Sequence, residues 1–199
     1  CIQMEWRGGM TPSFNWKSGK IIRLPSDTQL KGFRLEANAS SFAWPDFRGP
    51  DRRGIAPDQQ VDIDWSIEPT TLWQREIGRG HSSVIVVGNR LYTLHQQGEY
   101  EELSCGSMLN GSTNWVYRRK EIWKDSMSGT GPRSSPVYSK GKIFYLSSKG
   151  TLTCLDANSG NVVWEQITIE AQYDYPHWGI ACSPLVIDQL IIVSPGGDS

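Results

Sequence analysis

Few residues in this sequence have both the type and the placement to do chemistry. His81 and Arg133 each stand directly before a Ser-Ser pair, in the related stretches HSSVIVVGNRLYTLHQQG and RSSPVYSKGKIFYLSSKG. A hydrogen-bonding or cationic side chain repeated at one place suits an anion, and it equally suits a solvated loop end. His177 and Trp178 follow Tyr173 and Asp174 in a loop that mixes aromatic and polar groups. Such a loop suits a sugar or a flat ring, or simple packing of the indole. His95 closes an alternating apolar run and has no partner in sequence. No phosphate loop, dinucleotide loop, zinc-protease helix or nucleophile elbow is present. The expectation is therefore no catalytic set and no metal set. His81, Arg133, His177 and Trp178 are the candidates for binding.

The elements that position these residues come from a repeat. LSCGSMLNGSTNW (103–115) lies over LTCLDANSGNVVW (152–164) at an offset of 49. The two Ser-Ser stretches lie over one another at an offset of 52, so the first copy holds three extra residues near Glu99 to Glu101. A third copy begins at ACSPLVIDQLIIVS, 48 beyond the second. Each copy holds short runs rich in Val, Ile, Tyr and Phe, broken by Gly and Asn. Such runs predict short antiparallel strands joined by tight turns. Four strands at a period near 50 predict a propeller blade.

Nine Trp and 20 Gly support a repeated packing role. In LDANSGNVVW, Asp156 and Asn158 suit a turn closed by side-chain bonds to backbone, and Gly160 suits a positive φ. Trp164 then projects from a fixed place and covers a neighbouring blade, which cannot bury its own faces alone. Gly111 and Trp115 are the equivalents in the first copy, where Ser107 replaces the Asp.

These residues resemble the tryptophan-docking motif of the quinoprotein alcohol dehydrogenase-like β-propellers, the PQQ-repeat superfamily. WPDFRGPDRRG (44–54), GPRSSP (131–136) and WGIACSPLVIDQLIIVSPGG (178–197) are similar to bacterial PQQ-like repeat proteins. The resemblance covers roughly residues 42–199. It implies an all-β propeller, with blades at about 73–122, 123–171 and a truncated 172–199. Residues 1–41 form an N-terminal extension and linker.

A closed ring takes four to eight blades. The expectation is an incomplete ring, closed by remaining blades or by another chain. Within 42–72, Arg48 is expected to bond a neighbouring strand's backbone or carboxylate.

The resemblance further implies an exported, periplasmic or envelope-associated bacterial protein, membrane-anchored in full. Two readings of Cys1 stand, a lipidated first residue or a point of cutting, and the resemblance favours the cut. The function implied is a non-catalytic scaffold or binding module for a protein or glycan ligand. The alternatives are a quinoprotein dehydrogenase acting on alcohols or sugars, with PQQ and calcium, and a carbohydrate-binding propeller. The formal net charge of −1 gives no electrostatic reason to expect nucleic acid. No adjacent Cys pair exists among Cys1, Cys105, Cys154 and Cys182, and the last three are expected as small buried residues.

Overall fold

A computed structural model describes residues 43–56, 66, 70–169 and 178–194. The described residues are all-β. The first sheet holds β1 (Ala43–Trp44), β2 (Ile85–Val87), β3 (Arg90–Gln97), β4 (Tyr100–Ser107) and β5 (Thr113–Lys120), in that order. A short hairpin follows, β6 (Lys124–Asp125) and β7 (Gly129–Thr130). The second sheet holds β8 (Val137–Ser139), β9 (Lys142–Leu146), β10 (Thr151–Asp156) and β11 (Val162–Ile167), again in chain order. A third unit is described by β12 (Leu185–Ile187) and β13 (Leu190–Ile192). All pairings are antiparallel. These are the four-stranded blades of a β-propeller, with one extra strand, β1, on the free edge of β2.

The repeat extends to single side chains. In the first blade Ile85, Tyr92, Cys105 and Trp115 form one cross-strand row. In the second, Val137, Phe144, Cys154 and Trp164 form the same row. Both outer strand pairs shift register just after the cysteine, at Cys105/Gly106 and Cys154/Leu155. Because side chains alternate across a strand, each row faces the following blade. The first packs on Ile143, Tyr145, Leu155 and Ala157 to make the main core. Val137, Phe144 and Cys154 pack toward Val186 and Ile191 of the third unit. Cys105 and Cys154 are buried, Cys182 is half-buried, and all three are free thiols.

The three extra residues of the first copy lengthen the β3–β4 hairpin, which has eight residues per strand. The extension carries Glu101 into the second blade. There its carboxylate accepts bonds from the Ser148 backbone N–H, 3.1 Å away, and from the Ser148 hydroxyl. Burial, then the neighbouring Glu121, pushes the Glu101 carboxyl up to about 8.

Residues 43–54 run along the inner edges of the blades. Trp44 pairs with Val86, and the Pro45 carbonyl accepts from the Tyr138 N–H of the second blade at 2.8 Å. Arg52 reaches the carbonyls of Ser183 and Pro184 at 3.4 and 3.5 Å and the Asp46 carboxylate at 3.4 Å. The long-range bonds expected of Arg48 are thus made by Arg52. Arg48 itself bonds locally, to the Arg53 carbonyl at 3.3 Å. Asp46 is buried against this segment, and its burial raises its carboxyl.

Candidate functional site

The stretches before β2, β8 and β12 place a serine at matching positions in three units. Ser83 N–H donates to Ser135 Oγ at 2.9 Å, and Ser135 N–H donates to Ser183 Oγ at 2.8 Å. This ladder fixes the residues just before each Ser-Ser or Cys-Ser pair, including His81 and Arg133.

Both of these turn toward the hairpin of β6 and β7. Its loop is closed by Asp125, whose Oδ1 accepts from the Met127 and Ser128 N–H groups at 2.8 and 2.7 Å. The Ser128 hydroxyl bonds the other oxygen at 2.8 Å. The Arg133 guanidinium pairs with Asp125 and also contacts Ser128 Oγ. Both charged side chains of the pair are about nine-tenths buried. His81 Nε2 lies 3.0 Å from the Ser128 carbonyl, so that ring nitrogen is the one that carries a proton. The Ser128 backbone bond, with its hydroxyl, the Met127 N–H and Arg133, holds the Asp125 carboxyl down to about 2.

Beside this hairpin lies a recess of about 360 Å³ lined by Asp125, Ser126, Met127 and Trp178. Met127 is 81% exposed and Trp178 57%. Three of the four candidates, His81, Arg133 and Trp178, thus gather around one hairpin. His177, with Tyr173 and Asp174, lies outside the described residues. His95 is elsewhere. It is buried at the end of β3, accepts from the Gly78 N–H at 3.3 Å, and its burial lowers its pKa.

The arrangement uses its charges internally and presents an indole face and a thioether outward. Arg133, His81 and Ser128 hold the loop, and the open surface combines Met127 and Trp178 with Asp125 and Ser126. Aromatic rings and methionine on a preformed recess suit binding by packing and stacking.

A calcium-supported quinone needs six to eight oxygen ligands on the metal. Asp125 is committed to Ser128 and Arg133, and Asp46 to Arg52 and the Phe47 N–H. Among the described residues no three His, Cys, Asp or Glu side chains converge on a point.

The five repeat residues stand as follows. The Trp115 indole lies against Gly160, and its Nε1 donates to the Ala157 carbonyl at 3.2 Å. The Asp156 carboxylate accepts from the N–H groups of Asn158 and Ser159 at 3.1 and 3.0 Å. Trp164 is 38% exposed on β11. Gly111 lies under Trp73, whose Nε1 donates to the Met108 carbonyl at 2.8 Å. The blade limits drawn from sequence put Trp73 at the start of the first blade, yet it bears on that blade as Trp115 bears on the second. The signal was present: TTLWQREI is similar to NVVWEQI around Trp164. The β6–β7 hairpin was missed as well, because Asp125 and Ser128 form a local turn that breaks the repeat.

A family model described as outer membrane protein assembly factor BamB matches residues 116–199. No curated protein matches the chain. Among solved structures, a europium-containing methanol dehydrogenase is 19% identical, with a TM-score of 0.48 over 60% of this chain and 21% of that one. The BamB of Moraxella catarrhalis is 21% identical, with a TM-score of 0.41 over 60% of this chain and 30% of that one. The chain therefore spans less than a third of the length of either structure.

Proposed function

We propose, from the membership of residues 116–199 in the PQQ-repeat propeller superfamily, that this protein is a non-catalytic propeller scaffold of the bacterial envelope. Its blades carry a binding surface at the β6–β7 hairpin, and its ligand is a protein. The observation that carries the reading is the division of labour there. Arg133, Asp125, Ser128 and His81 are bonded to one another, while Met127 and Trp178 stand open beside a recess. Asp125 also lines the recess, but its carboxylate is already paired with Arg133 and bonded by Ser128, which leaves it poorly placed for proton transfer or anion capture. The description of the matching family model as an outer membrane protein assembly factor supports an exported protein that works by contact with other proteins. Membrane anchoring of the full protein belongs to the same proposal.

A photo-crosslinking residue at Met127 tests this in cells that produce the complete protein. A discrete protein adduct that disappears with Trp178→Ala supports the reading. Absence of any protein adduct argues against it.

One observation favours a second ligand class. Trp178 is an exposed ring beside Asp125 and Ser126, a combination that stacks on sugars. Loss of a glycan-array signal in Trp178→Ala separates a glycan ligand from a protein. The dehydrogenase alternative, with PQQ and calcium, is separated by titration of the complete protein.

A further inference from the structure

One row of the first blade departs from the repeat in its chemistry. His95 of β3 stands opposite Glu102 of β4, and Glu102 stands opposite Arg118 of β5. By the offsets of 52 and 49, the second blade has Ser147, Thr151 and Ile167 at these places. They form the same row there, with the Ser147 N–H bonded to the Thr151 carbonyl at 2.9 Å and Thr151 opposite Ile167. A row that packs with Ser, Thr and Ile in one blade thus carries an imidazole, a carboxylate and a guanidinium in the other. Places where a sequence breaks its own local pattern are where function is expected to lie.

These three side chains border a polar recess of about 560 Å³, together with Arg75, Glu76 and Gln97. It shares no lining residue with the recess beside the β6–β7 hairpin, and its volume suits a small molecule. His95 and Glu102 are 4% and 6% exposed. The Gly78 N–H donates to His95 Nδ1, so the proton of the neutral ring is on Nε2. That Nε2 is buried and has no partner. Burial disfavours the charged ring, and a protonated ring nitrogen has no lone pair to offer a metal. It needs an acceptor, and a buried donor left without one is costly. The recess therefore has a place for an acceptor atom.

The charges decide which acceptor. Arg118 Nε donates to the Glu102 carboxylate at 2.7 Å, so those two charges offset one another. Glu76 is exposed, and solvent and salt screen its charge. Arg75 is half-buried, and among the described residues its guanidinium makes one long bond, to the Gly111 carbonyl at 3.5 Å. One uncompensated guanidinium and one neutral N–H donor thus border the same recess. A guanidinium matches a carboxylate in charge and in the spacing of its two oxygens. A phosphate dianion would bring a second negative charge toward Glu76 and Glu102 with no free cation to meet it. We propose that this recess binds a small organic carboxylate, with Arg75 supplying the opposing charge and His95 Nε2–H donating to a carboxylate oxygen. This is a second site, separate from the protein-binding surface at the β6–β7 hairpin and independent of that reading.

The test titrates the complete-gene product, labelled with nitrogen-15 in its histidines, with sodium acetate and sodium succinate at constant ionic strength. The His95 resonances, identified by their absence from His95→Gln, are expected to shift saturably. Inorganic phosphate should leave them in place. Calorimetry then compares variants. Arg75→Gln should weaken carboxylate binding by about tenfold or more, because it removes a charge-assisted bond. His95→Asn keeps an oxygen for the Gly78 N–H and places no donor at the position of Nε2, so it should not bind. His95→Gln returns an amide N–H near that position and should restore binding. No saturable shift with either acid, an equal response to phosphate, or unchanged affinity in Arg75→Gln would overturn the proposal.

Discussion

The Trp115 indole occupies the space into which any side chain at Gly160 would point. A Cβ there would lie 2.6 Å from the ring, and Gly160 has a φ of 74°. One residue gives the turn its left-handed backbone and the other covers that turn from the preceding blade. The seam thus depends on a glycine for two separate reasons, conformation and space.

This relationship predicts a non-additive pair. Trp115→Ala should cost about 3 kcal/mol, as is usual for removing a large half-buried aromatic. Gly160→Ala should cost about 2 kcal/mol from backbone strain and the clash together. In the double variant the clash has no ring to meet, so the total should fall short of the sum by at least about 0.5 kcal/mol. Urea unfolding of the four proteins measures the difference.

Glu101 predicts a pH dependence of stability. Its carboxyl is pushed up to about 8 in the fold, so the folded state holds a proton that the unfolded chain loses near pH 4.5. Stability from this group is therefore full below that value and declines as pH rises toward 8. Glu101→Gln replaces the carboxyl oxygen that accepts from Ser148 with an amide oxygen that can do the same, and removes the titration. The variant should gain on the parent by more than about 1 kcal/mol between pH 5 and pH 8. Denaturation curves at both pH values check the direction.

What could be read in the sequence followed from spacing. The equivalence of Cys105 with Cys154 and of Trp115 with Trp164 was visible, because a repeat preserves its spacing, whereas the cross-strand rows they belong to needed the strand register. The role of Trp73 was not recognised although TTLWQREI is similar to NVVWEQI around Trp164, because the blade limits drawn from the repeat began at Trp73 and assigned it to the blade it covers. The link between Arg133 and Asp125 was hidden for a different reason. A turn closed by Asp and Ser bonds to nearby backbone is local chemistry with no periodicity. Glu101 reached the second blade through an insertion, which breaks the very alignment that would have pointed to it.

Asp156 predicts an acid-sensitive turn. The Lys142 ammonium at 3.1 Å, followed by the Ser159 bonds, holds its carboxyl down to about 2. A depressed carboxyl contributes stability above its unfolded value near 3.8 and loses it as pH falls toward 2. Asp156→Asn should retain the bonds to the Asn158 and Ser159 N–H groups, lose the Lys142 pair, and flatten the acid limb of a melting profile. An unchanged acid limb would mean that this carboxylate does not couple to folding.

The cysteines predict a reactivity order. Burial pushes the Cys105 and Cys154 thiols up, and thiolate is the reactive form. In the native protein both should stay unmodified by a maleimide that reacts fully once urea is added. Peptide mapping reads out each site. Rapid native labelling of Cys105 would mean that the seam between the first two blades opens readily.

Titration of the complete-gene product with PQQ in the presence of calcium, followed by absorbance and dye-linked alcohol oxidation, bears most directly on the scaffold reading. We predict no saturable binding and no turnover. Saturable binding with alcohol-dependent dye reduction would contradict it and make the protein a quinoprotein dehydrogenase.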